Sequence, residues 1–398
     1  MISVAEALER VLALCAPLPE ETVGLRAGLG RVMAAPAQAG LSQPPFDASA
    51  MDGYWIHAAD HRPGAVLSVL AGEAGAGHGF AGPVPEGAAL RIFTGAPCPA
   101  PGGVVVLQED VTREGGTITL PATLSDSDNI RPRGQDFALG DGFFPRRRLT
   151  ARDLGLLASM NVAKLAVHRR PVVAVISTGD ELVMPGESPG PDQIICSNAF
   201  LISALAEGWG AEVRLLPIAR DSEASLRMVF ELAKGADLIV TSGGASVGDH
   251  DLVGKVATDL GLERAFWKIA MRPGKPLMAG RMGSAQEGAA LLGLPGNPVS
   301  ATVCAELFLR PMLMRFQGLE GAHAPRRAVL AVPVGATGAR THYMRAKLEP
   351  GEGLPRITPF ANQDSALLGV LSEADALLIR PLGDGPVAAG ALVDYLPL

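Results

Sequence analysis

The sequence lacks the patterns that identify several classes of protein. Its four cysteines contain no C-x-x-C pair, which argues against a disulfide framework or a zinc site and predicts free thiols. The seven histidines are scattered, so a metal site built from histidines is not expected. No apolar run reaches the roughly 18 residues of a membrane span, and the N-terminal segment lacks the basic start of a signal peptide. We therefore expect a soluble, cytoplasmic protein without a membrane partner.

Basic residues and nucleotide-binding fingerprints are also scarce. The net charge is −7, and only six lysines accompany 28 arginines, which argues against nucleic acid as a partner. Neither G-x-G-x-x-G nor G-x-x-x-x-G-K-[ST] occurs, so a dinucleotide-dependent dehydrogenase or a P-loop kinase is not expected. An anionic small molecule would therefore need locally placed cations or a bound metal.

What is present predicts an α/β multidomain protein. Apolar residues make up 48% of the 398 residues, enough to give roughly two to four domains a core each. Buried-strand runs such as "PVVAVIST" and "ADLIVTSGG" alternate with helical segments, which predicts a doubly wound, mostly parallel sheet. We place this α/β domain at 169–317 and small β-domains at 41–137 and 318–398. A discontinuous helical linker domain would comprise 1–40 and 138–168, where Thr150 and Asp153 resemble a capping box.

Polar residues follow four predicted strands of the α/β domain. In an open parallel sheet, ligands bind beyond the carboxyl ends of the strands. Each glycine- or proline-rich turn by itself is more often a simple connection, but carboxylates grouped beside such turns predict Mg²⁺ and an anionic ligand. The residues are Thr178, Asp180 and Glu181 of "STGDEL", Asp221 of "RDS", Ser242, Gly243, Gly244, Ser246, Asp249 and Asp251 of "TSGGASVGDHD", and Pro295, Gly296, Asn297 and Pro298 of "GLPGNPVSA". Asn297 is predicted to cap the following helix, with Pro298 at its first position.

The segment "FWKIAMRPGKP", residues 266–276, supplies cations. It holds Lys268, Arg272 and Lys275, and thus two of the six lysines of the chain. A solvated basic loop is the alternative, but the flanking prolines and glycine fix the backbone and favour an oxyanion pocket.

A second polar loop lies near the N-terminus, in "PPFDASAMDGYW", residues 44–55. Its carboxylates are Asp47, which we interpret as a turn cap because it follows two prolines, and Asp52.

Together these motifs resemble the molybdopterin molybdenumtransferase family, of the MoeA and gephyrin E-domain type. The resemblance runs along nearly the whole chain, through "PPFDASAMDGY", "IFTGAPCP", "IRPRGQD", "STGDEL", "TSGGASVGDHD", "KIAMRPGKP", "LPGNPVS" and "NQDSALL". It implies an elongated four-domain subunit in a homodimer whose active site is shared between subunits. It also implies a Mg²⁺-dependent insertion of molybdate into adenylylated molybdopterin, with release of AMP and molybdenum cofactor. The upstream adenylyltransferase and downstream molybdoenzyme chaperones are the implied partners.

The resemblance also implies roles for individual residues. Asp52, Glu181, Asp221 and Asp251 resemble the essential acids, and we hypothesise that Glu181 and Asp221 lie at the metal. Further cleft residues are Thr94, Arg131 and Asp136 of the inserted domain. Molybdate would be received by Lys268, Arg272, Lys275 and Ser300, joined by Arg345 and Ser365. The sequence departs from the family at Trp55, where many members have a small residue, and at Arg272, where lysine is common.

Two other functions remain open at this stage. Gephyrin-type E domains also anchor receptors, so a molybdopterin-binding scaffold is one alternative, although the retained acids and cations favour catalysis. A nucleotide-pyrophosphate hydrolase with a related α/β domain is the other, and it would release AMP without molybdate.

Overall fold

The structure is a computed structural model that describes residues 1–243, 252–283, 288–321 and 324–398. The chain divides into two compact units. The α/β unit comprises Met1–Glu21, Gly30–Ala34 and His168–Leu398, and the β unit comprises Thr22–Leu29 and Ala35–Val167. The mixed sheets of both units confirm an α/β multidomain fold, whereas the four domain boundaries drawn from the sequence stay predictions.

The helices and strands are numbered in chain order. The α-helices are α1 (Val4–Leu12), α2 (Ala151–Ser159), α3 (Asn198–Gly208), α4 (Glu223–Leu232), α5 (Leu252–Asp259), α6 (Pro298–Cys304), α7 (Arg310–Phe316) and α8 (Leu368–Ser372). The strands up to the start of the α/β sheet are β1 (Glu20–Gly24), β2 (Ala37–Gln38), β3 (Ala48–Ser49), β4 (Gly53–His57), β5 (Val66–Ala74), β6 (Ala88–Ile92), β7 (Gly103–Leu107), β8 (Thr112–Glu114), β9 (Thr117–Thr119), β10 (Ile130–Arg131), β11 (Gly142–Phe143) and β12 (Lys164–His168). The remaining strands are β13 (Val172–Ser177), β14 (Leu182–Val183), β15 (Ile194–Ile195), β16 (Glu212–Leu215), β17 (Leu238–Ser242), β18 (Leu262–Trp267), β19 (Met271–Arg272), β20 (Met278–Met282), β21 (Ala289–Leu294), β22 (Arg326–Leu330), β23 (Thr341–Glu349), β24 (Arg356–Pro359), β25 (Ala376–Arg380) and β26 (Leu392–Pro397).

The central sheet of the α/β unit has the order β16-β13-β17-β21-β20-β18. Its first four strands are parallel to one another. Strand β20 is antiparallel to both of its neighbours, β21 and β18. Helices α3 and α6 pack on one face of the sheet and α4 and α5 on the other, so the apolar strand runs are buried on both sides. Ser177 pairs with Ser242, which pairs with Leu294, so β13, β17 and β21 end at the same level. The loops that follow these three strands therefore meet at one edge.

The long helix predicted after "GLPGNP" is present but irregular. Helix α6 continues through a π-helical turn, Ala305–Leu309, into α7. The N-terminal segment forms a further helix, α1, in which Ala7 and Val11 are fully buried. It is part of the α/β unit, where Arg10 Nη1 donates a 2.8 Å hydrogen bond to the carbonyl of Ala265.

The C-terminal strands close into a small barrel. Strands β23, β24, β22, β26 and β25 pair in a ring, because β25 pairs with both β26 and β23. Strand β19 adds to β23 in parallel, with Arg272 opposite His342. This pairing fixes the cation-bearing segment against the C-terminal strands.

The β unit is built on a sheet of order β7-β4-β6-β5-β9-β8. Trp55 of β4 is fully buried, and a Cβ on Gly103 of β7 would overlap its indole ring. The glycine therefore makes room for the large indole ring. The predicted capping box is present, since the Thr150 amide donates to Asp153 Oδ2 at 2.6 Å and the Asp153 amide to Thr150 Oγ1 at 3.4 Å.

Two expectations drawn from absent patterns can be compared with the described residues. All four cysteines are free thiols, as predicted. Among the described residues, no helix combines the length and the apolar composition that crossing a bilayer requires.

Candidate functional site

The carboxyl ends of β13, β17 and β21 border a cavity of about 300 Å³. Its wall consists of Ser177, Thr178, Glu181, Leu182, Ile194, Ile195, Cys196, Ser197, Asn198, Ser242, Gly243, Gly296, Asn297, Pro298, Ala366 and Leu368. Seven residues predicted from the sequence thus line one cavity: Thr178, Glu181, Ser242, Gly243, Gly296, Asn297 and Pro298. Pro295, directly before Gly296, is buried. The expected edge of the sheet therefore borders a cavity lined by these residues.

Two predicted acids lie on loops that are bonded together. The Asp221 amide donates to Asp180 Oδ1 at 3.1 Å. Arg220 Nη1 donates to the carbonyls of Asp180 and Leu182, both at 3.1 Å. Glu181 and Asp221 are both exposed, so their carboxylates are available to a ligand. The backbone contacts hold the two acidic loops side by side.

Glycine is required where two of these loops approach each other. Gly243 has a φ of +91°, and a Cβ there would lie 2.6 Å from the Thr178 carbonyl oxygen. The Thr178 amide also donates to the Ser242 carbonyl at 3.0 Å. The loops after β13 and β17 are thus in direct backbone contact, which only glycine permits at position 243.

Asn297 begins α6 as predicted, but its side chain does not cap the helix. Its Nδ2 instead donates to Ser365 Oγ at 3.0 Å, and the Val299 amide donates to the Ser365 carbonyl at 3.1 Å. The predicted capping role of the Asn297 side chain is therefore wrong. The side chain is used to fix Ser365, from far along the chain, beside the cavity.

Several buried oxygens around the cavity lack a protein partner. Ser177 Oγ, Thr178 Oγ1 and Asn198 Oδ1 are buried and accept or donate no hydrogen bond among the residues that the structure describes. Ser177 and Thr178 are 2% and 3% exposed. A buried polar group without a partner destabilises the fold, so three around one cavity favour a ligand that completes them.

The predicted cations lie on the loop between β18 and β20. Arg272 and Lys275 are exposed, and Lys268, with a φ of +93°, places Nζ 5.3 Å from the Trp267 ring centre. Within the described ranges none of the three forms an ion pair with a carboxylate. A Cβ on Gly274 would overlap Cys304 Sγ, so this loop packs closely on α6, the helix that begins at the cavity.

Two other predicted residues of the α/β unit are buried. Arg345 is only 1% exposed, and its guanidinium donates to the carbonyls of Leu367, Asn362 and Asp364 at 2.9–3.2 Å. Burial lowers its pKa, and the structure shows it holding the loop that carries Ser365 rather than lining an open surface. Ser300 is 5% exposed in the first turn of α6.

In the β unit, Asp52 and Thr94 form a bonded pair. The amide and the hydroxyl of Thr94 both donate to Asp52 Oδ1 at 2.7 Å. These hydrogen bonds lower the pKa of Asp52, so it is a carboxylate at neutral pH. Gly53 has no room for a Cβ, because it would overlap the Val106 carbonyl. The "MDG" triplet thus fixes Asp52 at the start of a buried strand.

Arg131 and Asp136 line a second cavity, of about 530 Å³, which lies within the β unit. Its other wall residues are Gln43, Pro44, Pro45, Phe46, Ala48, Gly95 and Gln135. The segments 43–48 and 130–136 are paired here, since Arg131 lies opposite Ala48 and the Arg133 amide donates to Asp47 Oδ1 at 2.8 Å. Asp47 is therefore not the local turn cap predicted from the sequence, because its carboxylate joins two distant segments.

Four predicted residues lie outside the described residues: Gly244, Ser246, Asp249 and Asp251. In the part of the chain that the structure describes, no three His, Cys, Asp or Glu side chains cluster as metal ligands. His57 and His61 are four residues apart, but they flank a 3₁₀ turn, and His57 Nε2 lies 2.6 Å from the Val84 carbonyl.

Sequence reasoning missed several residues that shape the α/β cavity. Asn198 donates to Ser242 Oγ and to the Gly296 carbonyl, and Arg220 joins the acidic loops. Ile194 and Ile195 form an exposed apolar wall. Two adjacent isoleucines in a Gly- and Pro-rich segment are a usable signal, but no local pattern indicates the distant partners of Asn198.

Comparisons with known proteins agree with this architecture. The MoeA N-terminal region (domain I and II) matches residues 2–161, a probable molybdopterin binding domain matches 174–315, and the MoeA C-terminal region (domain IV) matches 327–398. A molybdopterin molybdenumtransferase of Haemophilus influenzae is 34% identical, with 100% of this chain and 98% of the relative covered. One from a Nostoc species is 32% identical over 95% of this chain and 89% of the relative.

A solved structure extends the comparison to the fold. The molybdopterin biosynthesis MoeA protein of Pyrococcus horikosii matches with a TM-score of 0.84 at 29% identity, and covers 100% of this chain and 99% of the other. Full-length similarity in sequence and fold goes together with a cavity built from the predicted family motifs. The chain therefore belongs to the molybdopterin molybdenumtransferase family, the MoeA family of transferases that act in molybdenum cofactor biosynthesis.

Proposed function

We propose that this chain inserts molybdate into adenylylated molybdopterin in a Mg²⁺-dependent reaction that releases AMP and molybdenum cofactor. The observation that carries the proposal is the loop with Lys268, Arg272 and Lys275, whose charges have no carboxylate partner in the described ranges. Cations without a carboxylate partner are suited to a tetrahedral dianion such as molybdate. The loop packs on the helix that begins at the cavity, so substrate and oxyanion would be held by one framework.

The acidic loops fit a Mg²⁺ ion. Mg²⁺ is commonly held by one or two carboxylates together with substrate phosphates, and Glu181 and Asp221 are exposed on loops bonded to each other. When bound, the ion would neutralise the charge of the phosphoanhydride. Asp251 is proposed as a further acid, by family resemblance. The chain's own polar wall at Thr178, Ser242 and Asn297 would hold and orient the substrate.

The β unit would supply the second half of the site. Asp52, kept ionised by Thr94, and Arg131 with Asp136 are proposed to act on the substrate bound by a second subunit in a homodimer. Phe46 and Met51, from the same loop as Asp52, are 40% and 41% exposed, and these apolar side chains would be covered by a subunit contact. We propose a cytoplasmic enzyme that receives substrate from an adenylyltransferase and passes the cofactor to molybdoenzyme chaperones.

One incubation tests the reaction. Protein, Mg²⁺ and adenylylated molybdopterin are combined with and without molybdate, and AMP and dithiolene-bound molybdenum are measured together. We expect molybdate-dependent AMP release, at least tenfold slower in Glu181→Gln but unchanged in Glu207→Gln, an exposed glutamate of α3. AMP release without molybdate would identify a hydrolase instead. Full activity of Glu181→Gln at saturating Mg²⁺ would remove Glu181 from the metal site.

Mixing two inactive variants tests the shared site. Asp52→Ala and Glu181→Gln subunits, each inactive alone, should form heterodimers with one working site when they are mixed. Recovery of about a quarter of wild-type activity is expected from random pairing, since half the dimers carry one of two sites. If activity stays at the level of the separate variants while mass measurement shows heterodimers, Asp52 acts within its own subunit.

A further inference from the structure

Asn198 connects two of the loops that form the α/β cavity. It is the first residue of α3, but the helix start has no side-chain cap. Its Nδ2 donates to Ser242 Oγ at 2.9 Å and to the Gly296 carbonyl at 2.7 Å. Ser242 ends β17, and Gly296 follows the neighbouring strand β21. One amide group thus joins the ends of two adjacent parallel strands.

The orientation of this amide is fixed by its partners. A backbone carbonyl can only accept a hydrogen bond, so the nitrogen of Asn198 must face Gly296. The oxygen then points away from both partners. It is buried and has no donor among the described residues.

This oxygen limits what can bind beside it. An amide oxygen only accepts hydrogen bonds, so a phosphate or molybdate oxygen placed there would find no donor and would be repelled. An N–H group would complete the hydrogen bonding of the oxygen. The neighbouring Ile194 and Ile195 give the same cavity an apolar wall, which suits a flat heterocycle.

We propose that Asn198 is a specificity-determining residue, which clamps the two turns through Nδ2 and accepts a hydrogen bond at Oδ1 from an exocyclic amino group of the substrate heterocycle. The inference rests on the proposed function, because the substrate has two rings with such a group, the pterin and the adenine.

Matched pairs of small molecules test the amino group directly. Pterin is compared with lumazine, which has an oxo group in place of the 2-amino group, and AMP is compared with IMP, which has an oxo group in place of the 6-amino group. Dissociation constants are measured by calorimetry on the full chain. We expect about a 3- to 10-fold preference for the amino compound in one pair, the effect of a single neutral hydrogen bond. That pair identifies the ring bound at Asn198.

Variants separate the two ends of the amide. Asn198→Leu removes the amide nitrogen and the amide oxygen, so the ratio of the two dissociation constants should fall to about one. Asn198→Asp keeps an acceptor but loses the donor, so both compounds should bind more weakly while the preference for the amino compound persists. Asn198→Ser replaces the leucine variant if thermal unfolding shows that the latter does not fold. An equal loss for both compounds in the leucine or serine variant, or no preference in the wild type, would overturn the proposal. No molybdate is present, so a failure of the proposed insertion reaction would appear separately.

Discussion

His342 lies between two arginines in a row across three neighbouring strands. It is opposite Arg272 on one side and Arg380 on the other. The pKa of this histidine is lowered from 6.5 to about 4. Burial of the ring is the largest cause, and the charges of Arg272, Arg380 and Arg340 add to it. We therefore expect His342 to be neutral at pH 7 and to make the folded protein sensitive to mild acid.

The sign of the effect follows from proton uptake. In the unfolded chain the imidazole binds a proton near pH 6.5, whereas the folded protein binds it only near pH 4. The contribution of His342 to the free energy of unfolding is therefore complete above pH 6.5 and decreases as the pH falls below that value. Below pH 4 both states bind the proton, so this group causes no further loss of stability. The difference corresponds to about 3 kcal/mol at most. Because solvent reaches the partly exposed ring and screens the arginine charges, we expect about 1–3 kcal/mol.

Urea unfolding at pH 7, 6 and 5 measures this loss. Wild type is compared with His342→Gln, which keeps a neutral polar side chain but cannot be protonated. Most of the effect falls in this range, so wild type should lose about 1–2 kcal/mol more than the variant between pH 7 and pH 5. Other histidines and the carboxylates contribute equally to both proteins. Parallel pH dependences, or a ring resonance that is absent from the variant and titrates near 6.5, would refute the reasoning.

Two packing predictions concern single residues. Arg345→Lys should lower the free energy of unfolding by about 2–4 kcal/mol and expose 362–367 to proteolysis, because the single nitrogen of a lysine cannot reproduce the bonds that two separate guanidinium nitrogens make to three carbonyls. An unchanged cleavage rate, equal to that of the exposed control Arg340→Lys, would contradict it. Gly103→Ala should lower the free energy of unfolding by about 1–3 kcal/mol, because the new Cβ would overlap the Trp55 indole. The loss should be clearly smaller in a Trp55→Val background. Equal losses in both backgrounds would show that the indole is not the cause.

The strands and helices of the α/β unit could be predicted because burial imposes a pattern on the sequence. A strand covered on both faces, such as β13, reads as an unbroken apolar run. The capping box at Thr150 is equally local, since both partners lie within one turn. The π-helical turn at Ala305–Leu309 has no comparable periodic pattern, although Pro311 shortly after it cannot donate a helical hydrogen bond.

The position of the candidate site could be predicted from the sequence, but the hydrogen bonds within it could not. Parallel strands bring the polar residues after each strand to one edge, so the meeting of Thr178, Gly243 and Gly296 follows from topology. The partners of Asn198 and Asn297 do not follow, because an amide at a helix start can cap the helix or bond a distant loop equally well. Only the tertiary structure decides between these two uses.

The surroundings of Arg272 determine whether its charge is available to a ligand. A guanidinium can form two parallel hydrogen bonds to a carboxylate beside it. An acidic residue opposite Arg272 on the neighbouring strand would therefore neutralise its charge. The strand neighbour is instead the neutral His342, and beyond it Arg380 is already bonded to Asp384 and two carbonyls. Within the described ranges the guanidinium of Arg272 has no hydrogen-bond or ion-pair partner. The row of side chains therefore leaves the charge of Arg272 available to an oxyanion, which is the property that a lysine at this position would also provide.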